Sequence, residues 1–260
     1  MGVDRLRRVI KITLAYDGTR YVGWQRQAEG VSVQGLIEEA LALFEGQPVT
    51  VHGAGRTDAG VHALGQVASA QLSGGHDSSD LLRGLNALLP RDVRITDVDE
   101  VAADFHARFS ARAKTYRYVI RHAPIVSPFE YPFVWHVPDR LDVGAMQAAA
   151  ATLMGTHDFA CFQSTGTAIR NTTRTITRSE ILSDYRLPTT DYQPGLLVYE
   201  VTANGFLHHM VRAIAGTLVD VGRRRRPPES LPALLEGRRR ADAGPTAPPQ
   251  GLFLVSVTYD

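Results

Sequence analysis

Apolar and polar positions alternate through Val9-Ile10-Lys11-Ile12-Thr13-Leu14-Ala15-Tyr16, which predicts a β-strand stopped by the turn pair Asp17-Gly18. The period then lengthens. Leu36, Ile37, Ala40, Leu41 and Phe44 share one helical face, so a helix is expected from about Val33 to Phe44, with Ser32 as its N-cap and Gly46 and Pro48 at its end. Val49-Thr50-Val51 and Gln66-Val67-Ala68-Ser69-Ala70 read as short strands. A second helix, capped by Ser78 or Ser79, should run to about Leu88 before Pro90, and Val93 to Val98 resumes the strand period. The order β-α-β-β-α-β is that of a ferredoxin-like half.

The remainder repeats that pattern. Thr115-Tyr116-Arg117-Tyr118-Val119-Ile120 is a clear strand with Tyr116 and Tyr118 on one face and Arg117 on the other. A proline-rich, aromatic stretch from Pro124 to Pro138 reads as an ordered connection. An amphipathic helix is expected over Leu141–Met154, ended by Gly155, and long strands over Thr173–Leu182 and Leu196–Thr202, joined by a polar loop at 184–195. Phe206 to Val219 predicts a strongly apolar helix in which Arg212 stands among apolar neighbours. A buried arginine needs a partner, naturally a carboxylate, although the same side chain can extend its charge to the surface. Leu231–Leu235 gives a short helix, Ala241–Pro249 a loop and Gly251–Tyr259 a last strand. No repeat at the level of residues links the halves. The expected fold is α+β: two ferredoxin-like (RRM-like) halves, 1–112 and 113–260, with mainly antiparallel sheets joined around a central cleft.

Composition narrows the class. With 260 residues, 44% hydrophobic and 21% charged, the chain lies in the ordinary globular range. No apolar run approaches a membrane span and the first residues lack a signal peptide's apolar core, so a cytoplasmic location is expected. The single cysteine, Cys161, is expected as small apolar filler. A net charge of +1 decides little, but basic residues gather at Arg5-Arg7-Arg8-Lys11, at Arg108-Arg112-Lys114-Arg117-Arg121, at Arg223 to Arg226 and at Arg238 to Arg240. Each alone is an ordinary solvated face; together they favour a polyanionic partner. Phe105 to Lys114 interleaves aromatic and basic groups, as suits phosphates and stacked bases. His157-Asp158 lacks a second ligand pair at metal-binding spacing and reads as a local turn or an RNA contact.

The chemistry concentrates in Gly53-Ala54-Gly55-Arg56-Thr57-Asp58-Ala59-Gly60-Val61-His62. This is a tight loop between two strands, and Asp58 is its candidate reactive group. A structural turn would explain the small residues and the aspartate, but not the charged fork of Arg56 two positions earlier. Asp58 stands where a dinucleotide fingerprint needs its third glycine, and no lysine follows Gly60 as in a P-loop.

GAGRTDAGVHA, residues 53 to 63, closely resembles the signature of the TruA family of tRNA pseudouridine synthases. YDGTRYVGWQRQ (16 to 27), SVQGLIEEAL (32 to 41), DFHARFSARAKTYRY (104 to 118), GTHDFACF (155 to 162) and NGFLHHMVRAIAGTLVDVG (204 to 222) resemble its other blocks, in order. The resemblance implies isomerisation of uridine to pseudouridine at positions 38 to 40 of the tRNA anticodon stem-loop, by a homodimer that needs neither cofactor nor metal. It implies that Asp58 is the nucleophile, attacking C6 of the base or C1′ of the sugar, and that Arg212 is the cation beside it. It further implies that Tyr116 contacts the substrate base. Arg56 is then placed to fill the space left by a flipped base and to contact phosphate. The loop 184–195 and the run Arg223 to Arg226 match no block of the family. A non-catalytic RNA-binding protein would also account for the basic and aromatic stretches, but it leaves Asp58 without purpose.

Overall fold

β1 (Arg8–Tyr16) is the inner strand of the first of two units. It lies antiparallel to both β3 (His62–Leu72) and β4 (Val93–Val101), while the short β2 (Val51–Gly53) pairs with β3. This computed structural model describes residues 7–166, 169–183, 195–236 and 239–259. Its units are residues 1–112 with 254–260, and residues 113–253.

Alternation on β1 sorts the two faces of the first sheet. Ile10, Ile12 and Leu14 are fully buried and lie opposite or beside Ala70 and Ala68 of β3. Helices α1 (Val33–Glu45) and α2 (Ser78–Leu88) cover this face with Ile37, Leu41, Leu81 and Leu85, all without exposure. Each such side chain contributes about 1.5–3 kcal/mol by leaving water. Ser32 caps α1 as expected, its hydroxyl accepting from the Gly35 N–H. The cap of α2 is Asp77 rather than either serine, because its carboxylate accepts from the Asp80 N–H. The opposite face carries a smaller apolar plug of Ala54, Val67 and Ala107, packed with Phe105, Val257 and Tyr259.

In the second unit the strand order is β5-β9-β8-β7, all antiparallel: β5 (Ala113–His122), β7 (Gly155–Asp158), β8 (Thr173–Ser183) and β9 (Leu196–Ala203). The Pro124 to Pro138 connection is ordered. It contributes β6 (Trp135–Val137), parallel to β5, and closes an apolar cluster of Val119, Val134, Leu196 and Val198. Glu130 of the same connection forms a buried ion pair with Arg121. α3 (Val143–Ala151) and α4 (Met210–Gly222) pack together, followed by α5 (Leu231–Leu234). β10 (Leu252–Thr258) begins in this unit and, from Leu254, runs beside β3 in the first.

The bounds of α3 and α4 differ from the sequence pattern. α3 stops at Ala151, ahead of Gly155, which instead opens β7. α4 starts at Met210 rather than Phe206, because His209 takes a left-handed conformation at φ 61° and breaks the helical path before it. The expected loop 184–195 falls, but for Gly195, outside the described residues, as do Arg5 and Arg238 of the basic clusters.

Candidate active site

Asp58 sits in the first unit, on the loop that leaves β2 and enters β3. The loop is fixed by its backbone. Trp24 N–H donates to the Thr57 carbonyl at 3.0 Å, Gly23 and Asp58 form an antiparallel bridge, and Val61 N–H donates to the Asp58 carbonyl at 3.1 Å. Gly23 adopts φ +107°, and a Cβ there would lie 2.5 Å from the Thr57 carbonyl oxygen. Only glycine lets the Gly23-Trp24 backbone come so close.

Buried polar side chains brace the loop from beneath. The Tyr16 hydroxyl bonds the Thr57 hydroxyl at 2.8 Å, and the fully buried Gln66 donates its amide to the Gly55 carbonyl at 2.9 Å. His62 is buried and accepts from the Gly18 N–H at 3.1 Å. Burial pushes the Tyr16 phenol up to about 12, so it remains a neutral hydrogen-bonding group at physiological pH. Asp58 itself is half-buried, whereas Arg56 is exposed. A carboxylate at the rim of a rigid loop can reach a reacting atom without reorganising its support. The bracing role of Tyr16, Gln66 and Gly23 was not visible in the sequence. Its one signal was that YDGTRYVGWQRQ carries family character without any obvious reactive group.

Arg212 and Tyr116 sit in the second unit. Arg212 lies in the first turn of α4, half-buried, and is clamped to a neighbouring segment twice: its Nε donates to the Ala247 carbonyl at 2.8 Å and its own carbonyl accepts from the Ala247 N–H at 3.0 Å. The strap from Gly244 to Pro248 is tied at its ends as well. Gly244 N–H donates to the Thr217 hydroxyl and Tyr118 donates its hydroxyl to the Pro248 carbonyl. Burial raises the Tyr118 phenol pKa, an effect the nearby Arg212 charge opposes. Tyr116 is 7% exposed and meets the Phe206 ring edge-on, with centroids 5.0 Å apart.

Several basic residues are already committed. Arg117 and Arg178 both pair with the buried Glu200, and Arg121 pairs with Glu130. In the run Arg223 to Arg226, Arg223 pairs with Asp139 at 2.6 Å, Arg224 with Asp142 at 3.1 Å and Arg225 with Asp220 at 3.9 Å, while Arg226 donates to the Asp242 carbonyl. These pairs tie the end of α4 to its surroundings within the second unit. His157 bonds the Met154 carbonyl and Asp158 accepts from Ala160 N–H and the Thr172 hydroxyl, a local arrangement. Cys161 is buried, and burial raises its thiol pKa. Among the described residues, no helix is long and apolar enough to cross a membrane.

The chain matches known proteins along nearly its whole length. A family profile described as tRNA pseudouridine synthase covers residues 12–110 and 149–260. The tRNA pseudouridine synthase A of Syntrophotalea carbinolica is 45% identical over 251 residues, 96% of each chain. That of Moorella thermoacetica is 45% identical over 253 residues, covering 96% of this chain and 99% of the relative. Among solved structures, a chain of a Cbf5-Nop10-Gar1 complex aligns at a TM-score of 0.35 and 12% identity over 81% of this chain and 45% of that one, a likeness too loose to build on. The match to the family profile extends through both the loop that carries Asp58 and the helix that carries Arg212, and with it the chain belongs to the TruA family of tRNA pseudouridine synthases, isomerases that act on tRNA.

Proposed function

We propose that Asp58 is the nucleophile of this synthase and that its targets are the uridines at positions 38 to 40 of the anticodon stem-loop. The observation that carries the first part is the loop itself: one half-buried carboxylate, held by backbone bonds to Gly23 and Trp24 and carrying Arg56 two residues before it. The second part rests on the family resemblance of the sequence blocks. In the reaction the N1–C1′ bond breaks, the uracil turns, C5 bonds to C1′ and the hydrogen of C5 leaves as a proton. Asp58 either adds to C6 and is eliminated after C5 has bonded to C1′, or adds to C1′ and is displaced as C5 attacks that carbon, so no atom of the protein remains in the product.

Arg212 supplies the positive charge that balances this carboxylate once the bound base has excluded water. Tyr116 stacks on the base and assists removal of the C5 proton. Arg56 occupies the space left in the stem when the uridine flips out, and contacts phosphate. Flipping costs roughly a few kcal/mol, which these contacts offset. The enzyme works as a cytoplasmic homodimer, in which one subunit holds the tRNA body while the other reacts.

Tritium release tests the reading directly. tRNA carrying tritium at C5 of uridine should lose it to water with the wild-type protein and not with Asp58→Ala, whose tRNA affinity should persist. A tRNA with cytidine at positions 38 to 40 should release nothing. Release by Asp58→Ala at the wild-type rate would remove Asp58 from the mechanism, and undiminished release from the substituted tRNA would move the target elsewhere.

A further inference from the structure

Outside the Asp58 loop, the first unit carries a series of rings on the helix-free face of its sheet. His52 of β2 lies opposite Ser69 of β3. Its ring stacks on that of His106 with centroids 4.8 Å apart and planes at 29°, and His106 in turn meets Phe109 at 4.4 Å and 38°. The Arg108 guanidinium carbon stands 5.6 Å from the Phe109 centroid. The outermost ring is left in water: Phe109 is 76% exposed.

The turn that presents these rings is pinned. Both backbone groups of the fully buried Ala107 are tied down, its N–H to the Ser69 hydroxyl at 3.1 Å and its carbonyl to the Tyr259 hydroxyl at 2.7 Å. The turn also closes on itself, with Ser110 N–H donating to the His106 carbonyl, the Ser110 hydroxyl accepting from His106 N–H, and Arg108 N–H donating to Nδ1 of His106. His106 titrates below its ordinary range, first because of burial and then because of the neighbouring His52, so its ring is neutral at physiological pH. Single exposed apolar side chains are common and need no explanation. A rigidly mounted row of stacked and tilted rings ending in an exposed phenyl with a guanidinium beside it is a different object. It has the composition of a surface on which unpaired bases stack.

We infer that the His52-His106-Phe109 row is a stacking platform for an unpaired nucleobase of the tRNA, with Arg108 engaging the phosphate of the same nucleotide. The inference rests on tRNA being the substrate and not on Asp58 being the nucleophile. The platform contributes to affinity, so its loss raises KM far more than it lowers kcat. The Asp58 assignment reads out separately, in loss of turnover by Asp58→Ala with binding retained, and its failure, wild-type turnover in that variant, would leave the affinity of the platform variants unchanged.

The test is a titration of unmodified tRNA transcript by fluorescence anisotropy at several salt concentrations. Base–aromatic stacking predicts that Phe109→Ala raises Kd by about 5- to 100-fold. Phe109→Trp should bind at least as tightly as the wild type. Stacking releases no counterion, so the slope of log K against log salt should be the same in Phe109→Ala as in the wild type, while Arg108→Ala should make it shallower by about one. Because Phe109 is exposed, its alanine variant should unfold at the wild-type temperature, which keeps the comparison interpretable. Wild-type affinity in Phe109→Ala would overturn the inference. So would a changed sedimentation coefficient with tRNA affinity intact, which would make the row a protein contact instead.

Discussion

The Asp58 loop and the Arg212 turn solve the same problem with different materials. Each holds a charged group by bringing two backbones unusually close, and each relies on a glycine to do so. At Asp58 the glycine is conformational: Gly23 adopts φ +107° and presents its peptide to Thr57 and Asp58. At Arg212 the glycine is spatial: Gly216 is an ordinary helical residue one turn further along α4, and a Cβ there would overlap the Pro245 carbonyl of the strap. The first arrangement fixes a loop that has no regular structure of its own. The second fixes a strap against a helix that is already regular. A group on the loop therefore depends on its braces for position, whereas Arg212 takes its backbone path from α4 and, from the strap, a second tie at its carbonyl and the direction of its guanidinium.

The sharpest way to probe that difference is at the guanidinium. Arg212→Lys keeps the charge but has no Nε to donate to Ala247. If a directed charge matters, kcat should fall by about 100-fold, of the order seen when one preorganised electrostatic donor is lost, with tRNA affinity little changed. Wild-type turnover in Arg212→Lys would mean that charge alone suffices and that the strap has no catalytic consequence.

The two glycines come next, compared directly. Gly23→Ala forces a left-handed φ and a contact with Thr57, at a cost of roughly 1–3 kcal/mol. Gly216→Ala overpacks the helix–strap contact at a similar cost of roughly 1–3 kcal/mol. Both should lower Tm by several degrees, at about 2–4 °C per kcal/mol for a chain of this size. They should differ in activity: Gly23→Ala displaces the Asp58 backbone and should reduce kcat more for the same fall in Tm. Equal losses of kcat at equal losses of Tm would erase the distinction between the loop and the helix.

The smallest effect serves as the reference. Asp77→Ala removes the α2 cap, whose side-chain bonds among the described residues run only to Ser79 and Asp80, and should cost about 1 kcal/mol in thermal or urea unfolding with kcat preserved. A drop in kcat there would show that stability and activity are coupled throughout the unit and would weaken every inference drawn from the glycine pair.

Much of the frame was legible in the sequence because it is local. The alternation of Ile10, Ile12 and Leu14, the Ser32 cap and the face shared by Ile37 and Leu41 are short-range signals, and the structure places each as expected. The departures arise where a long-range contact overrides the local pattern. Phe206 to His209 have helical composition, but His209 turns left-handed and its Nδ1 bonds the Ser164 hydroxyl at 2.5 Å. The strap was readable as loop from its proline, alanine and glycine, yet nothing in Gly244 to Pro248 announces that it clamps a residue more than thirty positions earlier. The same holds at the candidate site. Asp58 and Arg56 stood out by their chemistry, whereas Tyr16, Gln66 and Gly23 act through contacts that no spacing rule encodes.

The path of β10 has a consequence for synthesis. Residues 254–260 belong to the first unit although the whole second unit precedes them, and Val257 and Tyr259 complete the plug over Ala54, Val67 and Ala107. A ribosome has therefore released the entire second unit before the first can close its last strand. The nascent chain must carry the Asp58 loop and the ring-bearing turn on an unfinished sheet until β10 has been made, and the turn gains its Tyr259 anchor only after the whole second unit has been synthesised.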